Sequence, residues 1–234
     1  MKLADLIAPM SEDVFKTLVL GKKPFVFYAT DYKKKFFSDI ITWKQFSDYI
    51  NNHRAVSGFQ VITKNGKLCM EKGNLFADKK PHWTKEERFE VQKALRHWNS
   101  GDSIILTKAS MLTPNISAIA GCIEASIPDT AADAHFYCSP REGSLSFPIH
   151  ADEDDNFLIH AIGTVRWQVY ARGSQTECII DKVLGPGDML YIPKGIYHKA
   201  EAKSARISIS VPMAKHPGIV PLNRNYCDFT KNSS

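Results

Sequence analysis

From about Ala134 onward the chain breaks into short β-prone runs separated by turn residues, and this spacing limits what it can fold into. His135–Cys138, Leu145–Ile149, Phe157–Ile162, Val165–Ala171, Glu177–Ile180, Met189–Ile192 and Ile207–Val211 all read as strands. Pro140, Gly143, Gly163, Gly173 and Gly185-Pro-Gly187 stand between them. Short strands of this kind argue for a sandwich or barrel, here a jelly roll of the double-stranded β-helix type.

The part before about residue 130 reads as helices around a few strands. Pro24-Phe-Val-Phe-Tyr28 is a β-prone run. Thr42-Trp-Lys-Gln45 has capping-box form and opens a helix through about Ile50. Val56–Val61 and Leu68–Met70 pair as a hairpin across Lys64-Asn-Gly66, because Asn-Gly supplies the positive φ that such turns need. Thr84-Lys-Glu-Glu87 is a second capping box; the helix behind it runs to about Trp98 and buries Phe89, Leu95 and Trp98. Ser103–Thr107 is a strand, and Thr113-Pro114 suits an N-cap and first helical position. No linker is visible. The expectation is one domain over 1–234, with a helical and strand part to about 130 and a β-helix core over about 134–212.

Composition narrows the function classes. With 234 residues, 44% of them hydrophobic, the chain can bury a sizeable core. Lys and Arg number 30 against 25 Asp and Glu, and the longest basic run is Lys33-Lys34-Lys35, which argues against nucleic acid as a partner. Five cysteines without CxxC spacing read as reduced thiols, and no apolar run reaches membrane-spanning length. The N-terminal Met-Lys-Leu-Ala-Asp-Leu-Ile has no continuous apolar stretch of signal-peptide type. Cytoplasmic localisation without a membrane partner is therefore expected.

Chemistry concentrates in Ser146-Phe-Pro-Ile-His-Ala-Asp152 and Gly185-Pro-Gly-Asp-Met-Leu-Tyr-Ile-Pro-Lys-Gly-Ile-Tyr-His198. Residues i and i+2 of an extended segment point to one side, so His150 and Asp152 can reach one ion. His198 ends a segment with a turn at Pro186-Gly187-Asp188, a strand over Met189–Ile192 and a loop fixed by Pro193 and Gly195. Two imidazoles and one carboxylate are the usual protein ligands of a non-haem Fe(II) that activates oxygen.

These residues carry a resemblance. His150-x-Asp152, Asn156-Phe157, Gly163-x-x-x-Trp167, Gly185-Pro-Gly-Asp188 and Tyr191-Ile-Pro193 leading to His198 resemble the JmjC-type and cupin-like Fe(II)/2-oxoglutarate oxygenases. Lys22-Lys-Pro-Phe-Val26 and Thr42-Trp-Lys-Gln-Phe46 are similar to that family's leading strand and helix. The resemblance implies a double-stranded β-helix, Fe(II) held by His150, Asp152 and His198, 2-oxoglutarate as co-substrate and O₂. It also implies hydroxylation, or demethylation through hydroxylation, of a peptide, amino acid or smaller molecule whose identity the chain does not reveal.

The pattern departs at one position. Relatives place a cation two residues after the glycine of Gly163-x-x-x-Trp167, where this chain has Val165. Strand alternation sets Val165, Trp167 and Val169 on one face and Arg166 on the other. A replacement is Arg206, which shares a strand face with Ser208 and Ser210 in Arg206-Ile-Ser-Ile-Ser-Val211. Arg-x-Ser on this late strand is similar to the co-substrate anchor of other 2-oxoglutarate oxygenase branches, which implies that Arg206 grips the carboxylate with help from Ser208; the alternative is that Arg206 is a strand-end surface residue. Tyr137 and Thr107 are further co-substrate candidates on neighbouring strands. His160 reads as a hydrogen-bonded core residue, with a fourth metal ligand as the alternative, and Glu153-Asp-Asp155 as a solvated loop or a contact for a cationic substrate. Two other readings compete. A metal-dependent cupin isomerase or dioxygenase without 2-oxoglutarate is favoured by Val165 and opposed by Arg206. A non-catalytic binding module would require the metal to be absent.

Overall fold

A computed structural model describes residues 1–52, 59–62, 68–69, 82, 90–144 and 146–223. Of the expected features, Val56–Gly58, the Lys64-Asn-Gly66 turn, Met70, the Thr84–Glu87 box, Phe89 and Leu145 lie outside these residues.

The helices begin where side chains can satisfy their first N–H groups. After α1 (Leu3–Ile7), three helices start this way: Ser11, Thr30 and Thr113 accept from the third residue on and open α2 (Glu12–Leu18), α3 (Asp31–Ser38) and the later Pro114–Ser126 helix. The Thr42 box forms as expected: Thr42 N–H donates to Gln45 Oε1 at 2.8 Å and Gln45 N–H to Thr42 Oγ1 at 3.2 Å, opening α4 (Trp43–Asn52). α5 (Val91–Ser100) stops at Gly101, whose φ of 92° is left-handed. Its Leu95 is exposed, against the sequence expectation, because the helix turns only one narrow face inward, with Ala94 buried and Trp98 partly so. α6 is Pro114–Ser126, with Ile116, Ile119, Ala120 and Ile123 buried.

Two antiparallel sheets face one another as a double-stranded β-helix. The strands are β1 (Phe25–Phe27), β2 (Phe59–Ile62), β3 (Leu68–Cys69), β4 (Ser103–Leu106), β5 (Thr130–Ala132), β6 (His135–Ser139), β7 (Asp155–Ile162), β8 (Val165–Tyr170), β9 (Cys178–Leu184), β10 (Met189–Ile192), β11 (His198–Ala202) and β12 (Arg206–Lys215). The major sheet runs β1-β10-β7-β12-β6-β4-β2-β3, with β5 also on β12; the minor sheet runs β11-β8-β9. The N-terminal part thus contributes strands to the major sheet as well as helices.

The major sheet is covered on both faces, so β7 and β12 are buried almost throughout. Phe136, Cys138, Phe157, Ile159, Met189, Tyr191, Ile207, Ile209 and Val211 pack in one cluster with the helices. Leu158, Leu190 and Ile192 face the minor sheet and meet Val165, Trp167, Val169, Ile196 and Ala200 there. The minor sheet has one wet face, and β8 and β11 alternate accordingly. Gly163 makes the β7–β8 turn at φ 71°, where a Cβ would run into the Ala205 carbonyl oxygen.

Three strand expectations change. Residues 146–149 form bends, not a strand, because their neighbours pair with each other: β6 lies between β12 and β4. His198 opens β11 instead of ending a loop, since its backbone pairs with Val169. β5 was not expected; three small residues carry no alternation to read.

Candidate metal centre and adjoining cavity

His150 and His198 come from different parts of the chain and are joined by backbone. The His150 N–H donates to the His198 carbonyl oxygen at 3.1 Å, and the His198 N–H to that of His150 at 2.8 Å. This isolated bridge sets the two ring centroids 4.4 Å apart. Asp152, two residues on, reaches both: its Oδ1 lies 3.5 Å from His150 Nε2 and its Oδ2 3.7 Å from His198 Nε2. The three donor atoms all fall within 4.8 Å of one another.

The donor set fits a divalent metal. Each imidazole has its tautomer fixed by a carbonyl, which can only accept. His150 Nδ1–H donates to Pro148 O at 2.9 Å and His198 Nδ1–H to Ile196 O at 3.0 Å. Both Nε2 atoms therefore keep a lone pair for the shared space beside Asp152. Bonds of about 2.0–2.2 Å would put neighbouring donors roughly 3–3.5 Å apart, close to the separations found. Asn156 steadies the carboxylate, donating to Asp152 Oδ2 at 3.3 Å while it also bonds Ser210 at 2.8 Å. Burial works to raise the Asp152 carboxyl, but the His150 hydrogen bond and the two imidazoles outweigh it and hold it below its ordinary value. Burial and the neighbouring His150 push His198 down.

The triad stands at one end of a cavity lined by Tyr137, Ser146, Phe147, Trp167, Arg206 and Ser208, among others. Arg206 is the decisive group. Only 1% of it is exposed, yet its described partners are all hydroxyls. Nε donates to Ser139 at 3.0 Å, Nη1 to Ser208 at 3.2 Å and Nη2 to Ser146. Among the described residues no carboxylate pairs with it; Asp152 is turned to the histidines. Burial lowers its pKa to about 10, which leaves it charged at neutral pH. A buried guanidinium without a counter-ion is costly unless a ligand supplies one. The described residues occupy three of its five N–H groups and leave two, a match for the two oxygens of one carboxylate.

The expected cofactor residues divide. Arg206, Ser208 and Tyr137 line the cavity together, brought there by the register Arg206↔Ser139 and Ser208↔Tyr137. Burial raises the Tyr137 phenol, which keeps it a neutral donor. Thr107 is the exception. It lies just past the end of β4 and does not line the cavity, because β4 stops pairing with β6 at Leu106. Val165 is wholly buried between the sheets, and Arg166 points outward to Asp181, at 2.7 and 2.6 Å. Ser139, Ser146 and Asn156 were not singled out for roles. Ser139 shares its alternation with Tyr137, a signal that was present. Ser146 had none, since it sits on an irregular run.

His160 is no ligand. Trp167 Nε1–H can only donate, and it does so to His160 Nε2 at 2.8 Å; the His160 Nδ1–H must then donate to Asp188 O, 3.1 Å away. Trp167 in turn lies against His198, with ring centroids 5.9 Å apart. Burial lowers the His160 pKa from 6.5 to about 4, so the fold requires the neutral ring. Stability from this group is complete above about pH 6.5 and is lost as pH falls towards 4, by up to about 3 kcal/mol. A glutamine can make both bonds without titrating. His160→Gln is expected to match wild type in urea unfolding at pH 7.5 and to lose less stability than wild type at pH 5. Parallel losses would contradict this assignment.

Asp155 of the acidic run serves the scaffold. Its carboxylate accepts from Tyr191 Oη at 2.5 Å and Lys194 N at 2.8 Å, which ties the loop before His198 to β7.

Comparison with known proteins gives consistent findings. A family model described as the JmjC domain matches residues 106–218. The bifunctional lysine-specific demethylase and histidyl-hydroxylase NO66 of Drosophila persimilis is 26% identical over 230 residues, covering 92% of this chain and 31% of that protein. Its namesake in Aedes aegypti is 30% identical over 98 residues, covering 35% of this chain and 15% of that protein. The chain thus spans about a third or less of these relatives' length. Among solved structures, the Escherichia coli ribosomal oxygenase YcfD in complex with cobalt and 2-oxoglutarate superposes with a TM-score of 0.63 at 20% identity, over 90% of this chain and 53% of that one. At that identity the likeness establishes the fold.

Proposed function

We propose that this chain, whose residues 106–218 match the JmjC-domain model, is a JmjC-type Fe(II)- and 2-oxoglutarate-dependent oxygenase, a single-domain hydroxylase acting on a protein side chain. The observation that carries this reading is Arg206: a buried cation, answered among the described residues only by hydroxyls, in the same cavity as His150, Asp152 and His198.

Bound Fe(II) would activate O₂, the oxidant, so that one oxygen atom enters a substrate C–H bond and the other enters succinate as 2-oxoglutarate loses CO₂. The chain's own residues bind, orient and shield. His150, Asp152 and His198 would hold the metal through one carboxylate oxygen and two Nε2 atoms. Arg206 offers two N–H groups to the far carboxylate of the co-substrate. Ser208 accepts from Arg206, so its own hydrogen is available to the same carboxylate, and Tyr137 is a neutral donor beside it. Trp167, Leu158 and Ala200 make the wall behind the site apolar and keep water from it.

Hydroxylation of a neutral side chain suits the cavity better than demethylation of a methylated lysine. Asp152 is the one carboxylate in the lining among the described residues, and it is engaged by both histidines. A cationic side chain would find no free carboxylate in that lining to pair with. The names of the relatives suggest where to look: a histidyl-hydroxylase and a ribosomal oxygenase. Val165 favours a second reading, a metal-dependent cupin enzyme without 2-oxoglutarate, but that reading leaves Arg206 without a purpose. The free thiols Cys122 and Cys138 suit a cytoplasmic location.

The test is incubation with Fe(II), 2-oxoglutarate and ribosomal proteins under air. One oxygen atom is expected to be added to a protein, with succinate formed in step. Oxygen incorporation without 2-oxoglutarate consumption would favour the cupin reading.

A further inference from the structure

We propose that Ser146 is a positioning residue that couples co-substrate binding at Arg206 to the geometry of the metal ligands. The inference rests on the 2-oxoglutarate reading of the cavity.

Ser146 opens the run that carries His150 and Asp152. Residues 146–149 belong to no strand, so no ladder holds them in place. Among the described residues, the Phe147 ring lies between those of Tyr137 and His150, and hydrogen bonds hold the two ends of the run. At the far end, His150 is bridged to His198 by backbone, and Asp152 is held through Asn156 and by the Gly195 N–H on its carbonyl at 3.0 Å. At the near end, Ser146 Oγ accepts from Arg206 Nη2. Ser146 is only 3% exposed, so water is poorly placed to substitute for this bond.

The other side of Arg206 is anchored on regular structure. Ser139 and Ser208 lie on β6 and β12, which are in mutual register. The guanidinium is therefore a rigid planar link between the major sheet and the ligand run. A carboxylate on its two remaining N–H groups would fix that plane, and with it the direction in which Nη2 offers its hydrogen to Ser146. Within the run there is little slack. Pro148, with its restricted φ, lies midway, and its carbonyl is the group that sets the His150 tautomer. A displaced Ser146 would move Pro148 and release the His150 ring. Occupation of one site thus tightens the other, and by reciprocity the converse holds.

Mn(II) serves as the probe, its affinity measured calorimetrically with and without 2-oxoglutarate. In the wild type, 2-oxoglutarate is expected to raise Mn(II) affinity. In Ser146→Ala that enhancement is expected to fall by about fivefold, within the usual range of coupling between sites. Ser146→Cys avoids a cavity, weakens the acceptor and is expected to change in the same direction, so the result does not hang on one variant's folding. Ser139→Ala is the control: it also removes a hydroxyl from Arg206, but on the sheet. It is expected to weaken 2-oxoglutarate binding and leave the enhancement at the wild-type factor. An undiminished enhancement in both Ser146 variants overturns the proposal, as does an equal fall in Ser139→Ala. Failure of the wild type to bind 2-oxoglutarate would instead remove the reading beneath it.

Discussion

Arg206→Ala is expected to weaken 2-oxoglutarate binding by about a hundredfold, ~3 kcal/mol, the scale for truncating one partner of a buried charge-assisted pair. The substitution removes the buried cation of the cavity and leaves the co-substrate's carboxylate facing three serine hydroxyls. Arg206→Lys keeps the charge but cannot span Ser139, Ser146 and Ser208 as a planar fork, and it is expected to fall between alanine and wild type. Arg166→Ala is the informative contrast. Arg166 is exposed and paired with Asp181 on the outer face of the minor sheet, so co-substrate affinity is expected to stay at the wild-type level. Equilibrium binding of 2-oxoglutarate to the Mn(II)-loaded protein measures all three. A large effect at Arg166 with none at Arg206 would reverse the assignment.

Asp152→Ala is expected to lower Fe(II) affinity by more than about a hundredfold, since removal of an outer-shell partner alone costs about ten- to a hundredfold. The carboxylate is the one anionic donor of the triad and the group both imidazoles approach. His198→Ala is expected to act similarly. Asn156→Ala keeps every ligand and removes only the hydrogen bond that orients Asp152, so a loss of about tenfold is expected. Metal content after anaerobic reconstitution separates the three. Stoichiometric iron in both Asp152→Ala and His198→Ala would rule out the triad as the metal site.

Much of this was legible in the sequence, for physical reasons that differ from residue to residue. The two-residue spacing of His150 and Asp152 carries its geometry wherever the backbone is extended. Alternation in β12 was enough to group Arg206 with Ser208, and alternation in β8 to turn Arg166 away from the cavity. What alternation could not supply was depth. Thr107 has the parity of Ile105, which lies opposite Tyr137, but β4 ends before it. Nor could it describe irregular backbone. The run from Ser146 reads as a strand because Phe147 and Ile149 are apolar, yet it is held by an arginine sixty positions away in the chain. His198 was placed in a loop because Pro193 and Gly195 precede it, and the turn they make is complete before it. The acidic run shows the same limit: composition marks Asp155 as solvated, whereas Tyr191 and Lys194 draw it into the scaffold.

The central claim is that one cavity holds a metal and a dicarboxylate side by side. The most direct test is an anaerobic titration of the Fe(II)-loaded protein with 2-oxoglutarate, followed by visible absorption. A metal-to-ligand charge-transfer band that saturates at one equivalent is the predicted result. Absence of that band while Fe(II) is demonstrably bound would contradict the account.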